Sequence, residues 1–205
     1  MKSKFFLIAM LVVLLAAALP CSGLALSDGA PGLSDYTYQY ADMQTAKNYQ
    51  IKFGLEHQLG DNDKWDVYSA PALDAVRGAN GNAYLHTGEE VYSAGWSGAW
   101  LMVRYPKVGG GYRVGWTPRT EMLGGKVEAT RNVNFAYWTV ELSRSCAISD
   151  DPLYESDALA YASAGERLTY LGYYRYNNGR EYAYVQGLLN GHPVAGFIPF
   201  DAIAW

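Results

Sequence analysis

Gly115-Trp116-Thr117-Pro118 returns 81 positions later as Gly196-Phe197-Ile198-Pro199. The residues upstream return with it. Ser69-Ala70-Pro71 matches Asp150-Asp151-Pro152 at the same offset of 81, and Gly88-Glu89-Glu90-Val91 matches Gly165-Glu166-Arg167-Leu168 at 77. Trp100-Leu101-Met102-Val103 matches Tyr182-Ala183-Tyr184-Val185. The order is kept and the offset changes only where Gly and Asn collect, so the chain contains an internal repeat of domain size. Each closing motif reads as a fold signature. Its Gly allows close backbone approach, its ring fills a core, and its Pro ends the strand. Duplication of a small module tilts the expected function toward recognition.

The amino terminus reads as a targeting signal. Lys2 and Lys4 precede an unbroken apolar run from Phe5 to Leu19, which Pro20 ends. That run is 15 residues, short of the roughly 20 needed to cross a bilayer. A charged start, a short apolar middle and the small pair Gly23 and Ala25 describe a secretory signal peptide over residues 1–25. Cys21 after the apolar run offers lipid anchoring as a minority alternative, although Pro20 stands where a small residue is usual. Without residues 1–25 the chain has 14 basic and 20 acidic residues and a net charge near −6. No basic cluster is present, which argues against nucleic acid as a partner. Cys146 is then the one remaining cysteine, so an exported chain of this kind is not a disulfide scaffold.

Residues 26–56 read as a tether followed by the strand that enters the first copy, with a possible short helix from Ala41 to Lys47. Beyond them the pattern is all-β. Runs such as Glu89–Ala94, Trp100–Tyr105 and Tyr112–Trp116 are rich in β-branched and aromatic residues and bounded by Gly, Pro or Asn. Gly109-Gly110-Gly111 and Asn177-Asn178-Gly179 sit where hairpin turns belong. Ala72–Ala75 and Ser156–Ala162 are the two stretches that could be short helices. Residues 123–134 read as a linker between a first copy over 57–122 and a second over 135–205.

The ordered set Val67-Tyr68-Ser69-Ala70-Pro71, Gly88-Glu89, Trp100-Leu101-Met102-Val103 and Gly115-Trp116 resembles bacterial SH3-like domains. The second copy fits more loosely, with Tyr182 in the place of Trp100. The resemblance implies two tandem SH3-like small β-barrels. It also implies a non-catalytic appendage that binds cell-wall peptidoglycan or a peptide or protein at the bacterial envelope. No cofactor is implied. A structural or protein-interaction subunit of an envelope complex is the alternative, and a wall hydrolase using Glu89 and Glu166 is a more remote one.

Four groups of residues bear on catalysis and metal binding. A Cys/His peptidase needs its Cys at a helix start beside a His, but Cys146 aligns with Trp65 on an expected strand. His57, His86 and His192 are too scattered for a metal site. Asp61, Asp63 and Asp66 resemble a calcium loop, yet Trp65 and Asp66 stand where an oxygen ligand and a Gly are required. Adjacent Asp150 and Asp151 would face opposite ways on a strand, so they are expected to form a turn before Pro152.

The aromatics remain. There are 18 Tyr and 6 Trp against 6 Phe, a bias toward rings that pack on one side and stay wet on the other. Tyr68, Trp96, Trp100, Tyr112, Tyr173, Tyr174, Tyr176 and Tyr182 form the candidate ligand-binding set. They suit stacking on sugar faces or holding a Pro-rich peptide. The copies differ at Trp96 against Tyr173-Tyr174-Arg175-Tyr176, and a site is expected there.

Overall fold

The computed structural model describes residues 42–58, 64–86, 88–118, 132–153 and 158–205. The signal, most of the tether, Asp61 and Asp63, and the linker up to residue 131 lie outside them. Helix α1 is Met43–Ala46. Its cap is Asp42, whose carboxylate accepts from the amides of Gln44 and Thr45 at 3.0 Å each. Thirteen strands follow among the described residues: β1 Leu55–Gln58, β2 Trp65–Asp66, β3 Tyr84–Leu85, β4 Glu90–Ser97, β5 Trp100–Pro106, β6 Tyr112–Pro118, β7 Trp138–Leu142, β8 Cys146–Ile148, β9 Ala160–Ala162, β10 Arg167–Arg175, β11 Glu181–Leu189, β12 His192–Pro199 and β13 Ile203–Ala204. A 3₁₀ turn, Phe200–Ala202, precedes the last. Strands make up 50% and helices 5% of the described residues, an all-β fold.

One sheet runs β1-β4-β5-β6 and the other β12-β11-β10-β7-β13, with two-stranded ribbons β2-β3 and β8-β9. Both sheets carry the same antiparallel three-strand unit, β4-β5-β6 and β10-β11-β12, and the same kind of irregularity. The register slips at Ser93/Gly95 in one and at Tyr170/Gly172 in the other. Such a slip sharpens local twist and bends the strand. Neither sheet closes into a barrel among the described residues, which form two sheets with a two-stranded ribbon beside each. The halves also trade loop lengths. The β4–β5 turn is Gly98-Ala99 whereas β10–β11 needs residues 176–180, and the long β5–β6 turn at 107–111 answers to Asn190-Gly191. Both Asn190 and Gly191 have positive φ, as the tight hairpin requires.

Neither expected short helix after the repeat Pro forms among the described residues. Ala160-Tyr161-Ala162 is buried, exposed and buried in turn and pairs with Cys146–Ile148. A period of two there favours the strand over a helix started at Ser156. Ala72–Ala75 stays a turn, with Ala75 N–H donating to Ala72 O at 3.2 Å. Four residues give too few bonds to offset helix nucleation.

The repeat motifs hold the ribbons to the sheets. Tyr68 and Trp116 exchange two backbone bonds of 2.8 and 2.7 Å, and Ser149 and Phe197 exchange their counterparts of 3.0 and 2.7 Å. Trp116 and Phe197 are both fully buried, each filling the core behind its ribbon.

The halves are interlocked. Gln50, just ahead of the first sheet, bridges in parallel to Tyr173 of the second, and Asn132, ahead of the second sheet, bridges in parallel to Trp96 of the first. Trp96 and Tyr173 each follow a bulge glycine. The lead-in segment of each half therefore pairs with the other half. A single aromatic core lies across the join, containing Tyr68, Trp100, Met102 and Trp116 with Leu171, Tyr182, Tyr184 and Phe197. At its centre Trp116 Nε1–H donates to the Tyr184 hydroxyl at 2.9 Å, which in turn donates to Ser69 O at 3.3 Å.

Asp150 and Asp151 belong to this join. The expected turn is present, with Leu153 N–H donating to Asp151 Oδ1 at 2.9 Å. Both carboxylates also reach the first half: Asp151 lies 3.1 Å from Lys107 Nζ and Asp150 lies 3.6 Å from Arg113 Nη1. Burial pushes the Asp150 carboxyl up to about 6, against the pull of Arg113 and helped by Asp151. The folded state thus holds that proton more tightly than an unfolded chain with an ordinary Asp. The resulting stability is full below about pH 4 and is lost as pH rises through about 6. Asp150→Asn is expected to remove a pH-dependent loss on the order of 3 kcal/mol between pH 4 and 7. Urea midpoints measured across that range for both proteins check this; parallel curves would contradict it.

Candidate functional site

A cleft of about 580 Å³ opens on the second half. Met43 lines one side, presented by the capped first turn of α1. That turn is anchored on the sheet, because the Tyr170 hydroxyl donates to Ala46 O at 2.8 Å. Leu153 comes from the loop after Pro152, Arg180 and Tyr182 from the β10–β11 turn and the start of β11, and Pro199, Phe200 and Asp201 from the end of β12 and the 3₁₀ turn. The lining is mainly apolar with charge at its rim, the usual composition of a ligand pocket.

The rim charges differ in how they are held. Arg144 and Asp201 form an exposed pair at 2.7 Å. Glu181 is gripped by Lys47 Nζ at 2.8 and 2.9 Å and accepts from the Tyr173 hydroxyl at 2.5 Å. These hydrogen bonds, Lys47 first, hold its carboxyl below the usual carboxylate range, while burial and then Glu181 push the Tyr173 phenol up to about 12. Arg180 is exposed, and its guanidinium has no partner among the described residues. The cleft therefore offers apolar surface at Met43 and Leu153, over the largely buried rings of Tyr182 and Phe200, and the Arg180 cation to an acceptor.

The eight aromatic candidates separate by burial. Tyr68, Trp100, Tyr173 and Tyr174 are 5 to 8% exposed and serve the core. Trp100, for example, packs edge-on to Tyr68 at 5.4 Å. Tyr182 is 4% exposed yet contributes to the cleft wall. Trp96 and Tyr176 are half-buried, and Tyr112 stands 40% exposed. Trp96 and Tyr173, expected where the copies diverge, are equivalent positions that receive the crossing segments. Sequence reading passed over Met43, Arg180, Leu153 and Phe200. An Arg in an Asn/Gly turn beside a ring was the available signal for one of them.

Several of the groups considered for catalysis make turn or packing contacts. Glu89 accepts from His86 N–H at 2.8 Å and Glu166 from Ser163 N–H at 2.9 Å, so both cap the turn before a strand. Cys146 lies on β8, where burial pushes its thiol up, away from the thiolate a nucleophile needs. His192 Nδ1 sits 3.0 Å from Asp74 O and His86 packs edge-on to Tyr84 at 4.6 Å. Among the described residues no three His, Cys, Asp or Glu side chains gather as metal ligands. No described helix is long and apolar enough to cross a membrane.

The fold and cleft define an all-β protein of two matched, interlocked sheets. No protein-family model matches the chain, and no curated protein matches it. Among solved structures it is similar to NlpC2 from Trichomonas vaginalis at 16% identity and a TM-score of 0.29, covering 76% of this chain and 49% of that one. The chain thus spans about half the length of the solved structure it matches.

Proposed function

We propose that this protein is an exported, non-catalytic binding module built of two SH3-like units, which takes bacterial cell-wall peptidoglycan, through its glycan or its peptide, into the cleft of the second unit. The observation that carries the reading is the cleft itself, where apolar side chains meet the Arg180 guanidinium on strand and turn backbone. Support for SH3-like units comes from the repeated strand order and the Gly-aromatic-x-Pro closure. The apolar run from Phe5 to Leu19 behind Lys2 and Lys4 supports export. The raised Cys146 thiol and the turn-capping role of Glu89 and Glu166 support a binding role over a hydrolytic one.

The test is sedimentation of the purified chain with insoluble peptidoglycan. Met43→Asp combined with Arg180→Glu changes two exposed side chains and is expected to weaken retention at least about tenfold while leaving the melting temperature within a few degrees. A wild-type chain that stays in the supernatant sinks the wall reading. Clearing of wall material in a zymogram would sink the non-catalytic one.

A further inference from the structure

A second cluster sits at the seam between the halves, on the first sheet and away from the cleft. Arg104 lies at mid-β5, opposite Tyr92 of β4 in the strand register. Its guanidinium stands 4.6 Å from the Tyr92 ring centre, 4.8 Å from that of Tyr112 and 5.6 Å from that of Phe53. Tyr174 of the second half closes the far side: its ring is 6.0 Å from Phe53 and its hydroxyl bonds with Arg104. Phe53 belongs to the crossing segment, so this frame exists only because the halves interlock.

The cluster lacks the partner its charge calls for. Arg104 makes no ion pair among the described residues, and its Nε–H is buried without an acceptor. Glu90, two residues before Tyr92, instead accepts from the Tyr92 hydroxyl at 3.0 Å. The Nε–H groups of Arg77 and Arg113 are buried without an acceptor too, but those two side chains have Asp66 and Asp150 as ion-pair partners, so it is the lack of a carboxylate that sets Arg104 apart. Stacking of rings against a guanidinium leaves its in-plane N–H edge available and fixes its direction, the arrangement suited to a planar, bidentate carboxylate. Beside it the Tyr92 and Tyr112 rings, 6.4 Å apart and inclined at 85°, form an open corner. Tyr112 is 40% exposed there. A flat exposed ring next to a wall at right angles is a seat for a pyranose face.

We infer that this seam is a binding site for a carboxylate-bearing sugar, with the acid on Arg104 and the sugar face on Tyr112. It is separate from the cleft reading and does not depend on it. The test titrates the full chain, followed by NMR, with N-acetylmuramic acid, N-acetylglucosamine and N-acetyl-alanyl-alanine. The first two sugars differ by the lactyl ether that carries the carboxylate, and the peptide carries a carboxylate without a sugar. The expected result is at least tenfold tighter binding of the acidic sugar than of either other probe, with shifts at the Arg104 Nε–H and the Tyr112 ring. Arg104→Lys, which keeps the charge but loses the fork, should bring the two sugars to within about twofold. Tyr112→Ala, a change at an exposed ring, should weaken the acidic sugar several-fold with the fold retained.

Equal affinity for the two sugars overturns the inference. So does a peptide bound as tightly as the acidic sugar, which would mark a carboxylate site without sugar recognition. Because Met43→Asp with Arg180→Glu leaves this seam intact, its loss of wall retention alongside preserved sugar binding separates the two readings.

Discussion

Gly196→Ala should lower the melting temperature by roughly 10 °C or more, a loss on the order of 3 kcal/mol. A Cβ at this position would lie 2.6 Å from Ser149 O and 2.8 Å from Ile148 Cγ2. The oxygen is backbone and belongs to the bridge that holds the β8-β9 ribbon to β12, so it cannot swing aside like a side-chain tip. Relief requires the ribbon to move outward, which stretches the bonds between Ser149 and Phe197. Gly115→Ala should behave alike, since its Cβ would meet Val67 Cγ1 and Tyr68 O. Gly54→Ala is the control: open space surrounds a Cβ there, and an effect within about 1 kcal/mol is expected. Thermal unfolding of the three variants decides the matter. If Gly196→Ala and Gly54→Ala melt together, the close approach is not what fixes glycine in the motif.

Trp116→Ala should cost about 3–5 kcal/mol, because it empties the largest fully buried side chain in the shared core. The loss should not be confined to the first half. Trp116 touches Phe135 with ring centres 5.8 Å apart and holds the Tyr184 hydroxyl of the second sheet at 2.9 Å. One cooperative transition shifted downward is therefore the expected calorimetric trace. Two transitions, with only one displaced, would show that the halves fold separately. Trp116→Phe keeps most of the volume and removes the N–H, leaving Tyr184 with Ser69 O alone; it should cost about 1–2 kcal/mol. In Tyr184→Phe the indole N–H is the stranded group. A double-mutant cycle between the two should show coupling near 1 kcal/mol.

Much of the first-order architecture is legible in the residues. Glu89 and Glu166, 77 apart, cap matching turns, and the bulges at Gly95 and Gly172 share that offset. Gly-aromatic-x-Pro announces its own role, because a Gly directly before a core ring marks a strand that a second backbone crosses at close range. The short-helix expectation at Ser156–Ala162 failed on a conflict of local signals: Ala favours helix, but the alternating burial of Ala160, Tyr161 and Ala162 is decided by the ribbon partner. The candidate aromatics were chosen for lying beside loops. Loop proximity does not reveal which side of a ring faces the opposite half, and Tyr68, Trp100 and Tyr174 face it.

The repeated pattern of apolar, Gly and Pro residues is a local property, set by strand period and permitted φ, and the chain carries it openly. The interlock is different in kind. Gln50 with Tyr173, Asn132 with Trp96 and Trp116 with Tyr184 are separated by 123, 36 and 68 positions, and nothing in Gln or Asn names a distant partner. Those pairings follow from packing two bent sheets so that one aromatic core serves both. The crossing lead-in brings Met43 to the cleft beside Tyr182, and the packing of the halves frames the seam around Arg104. A repeat can be read from one copy to the next, whereas a surface shared by the copies exists only once they are folded together.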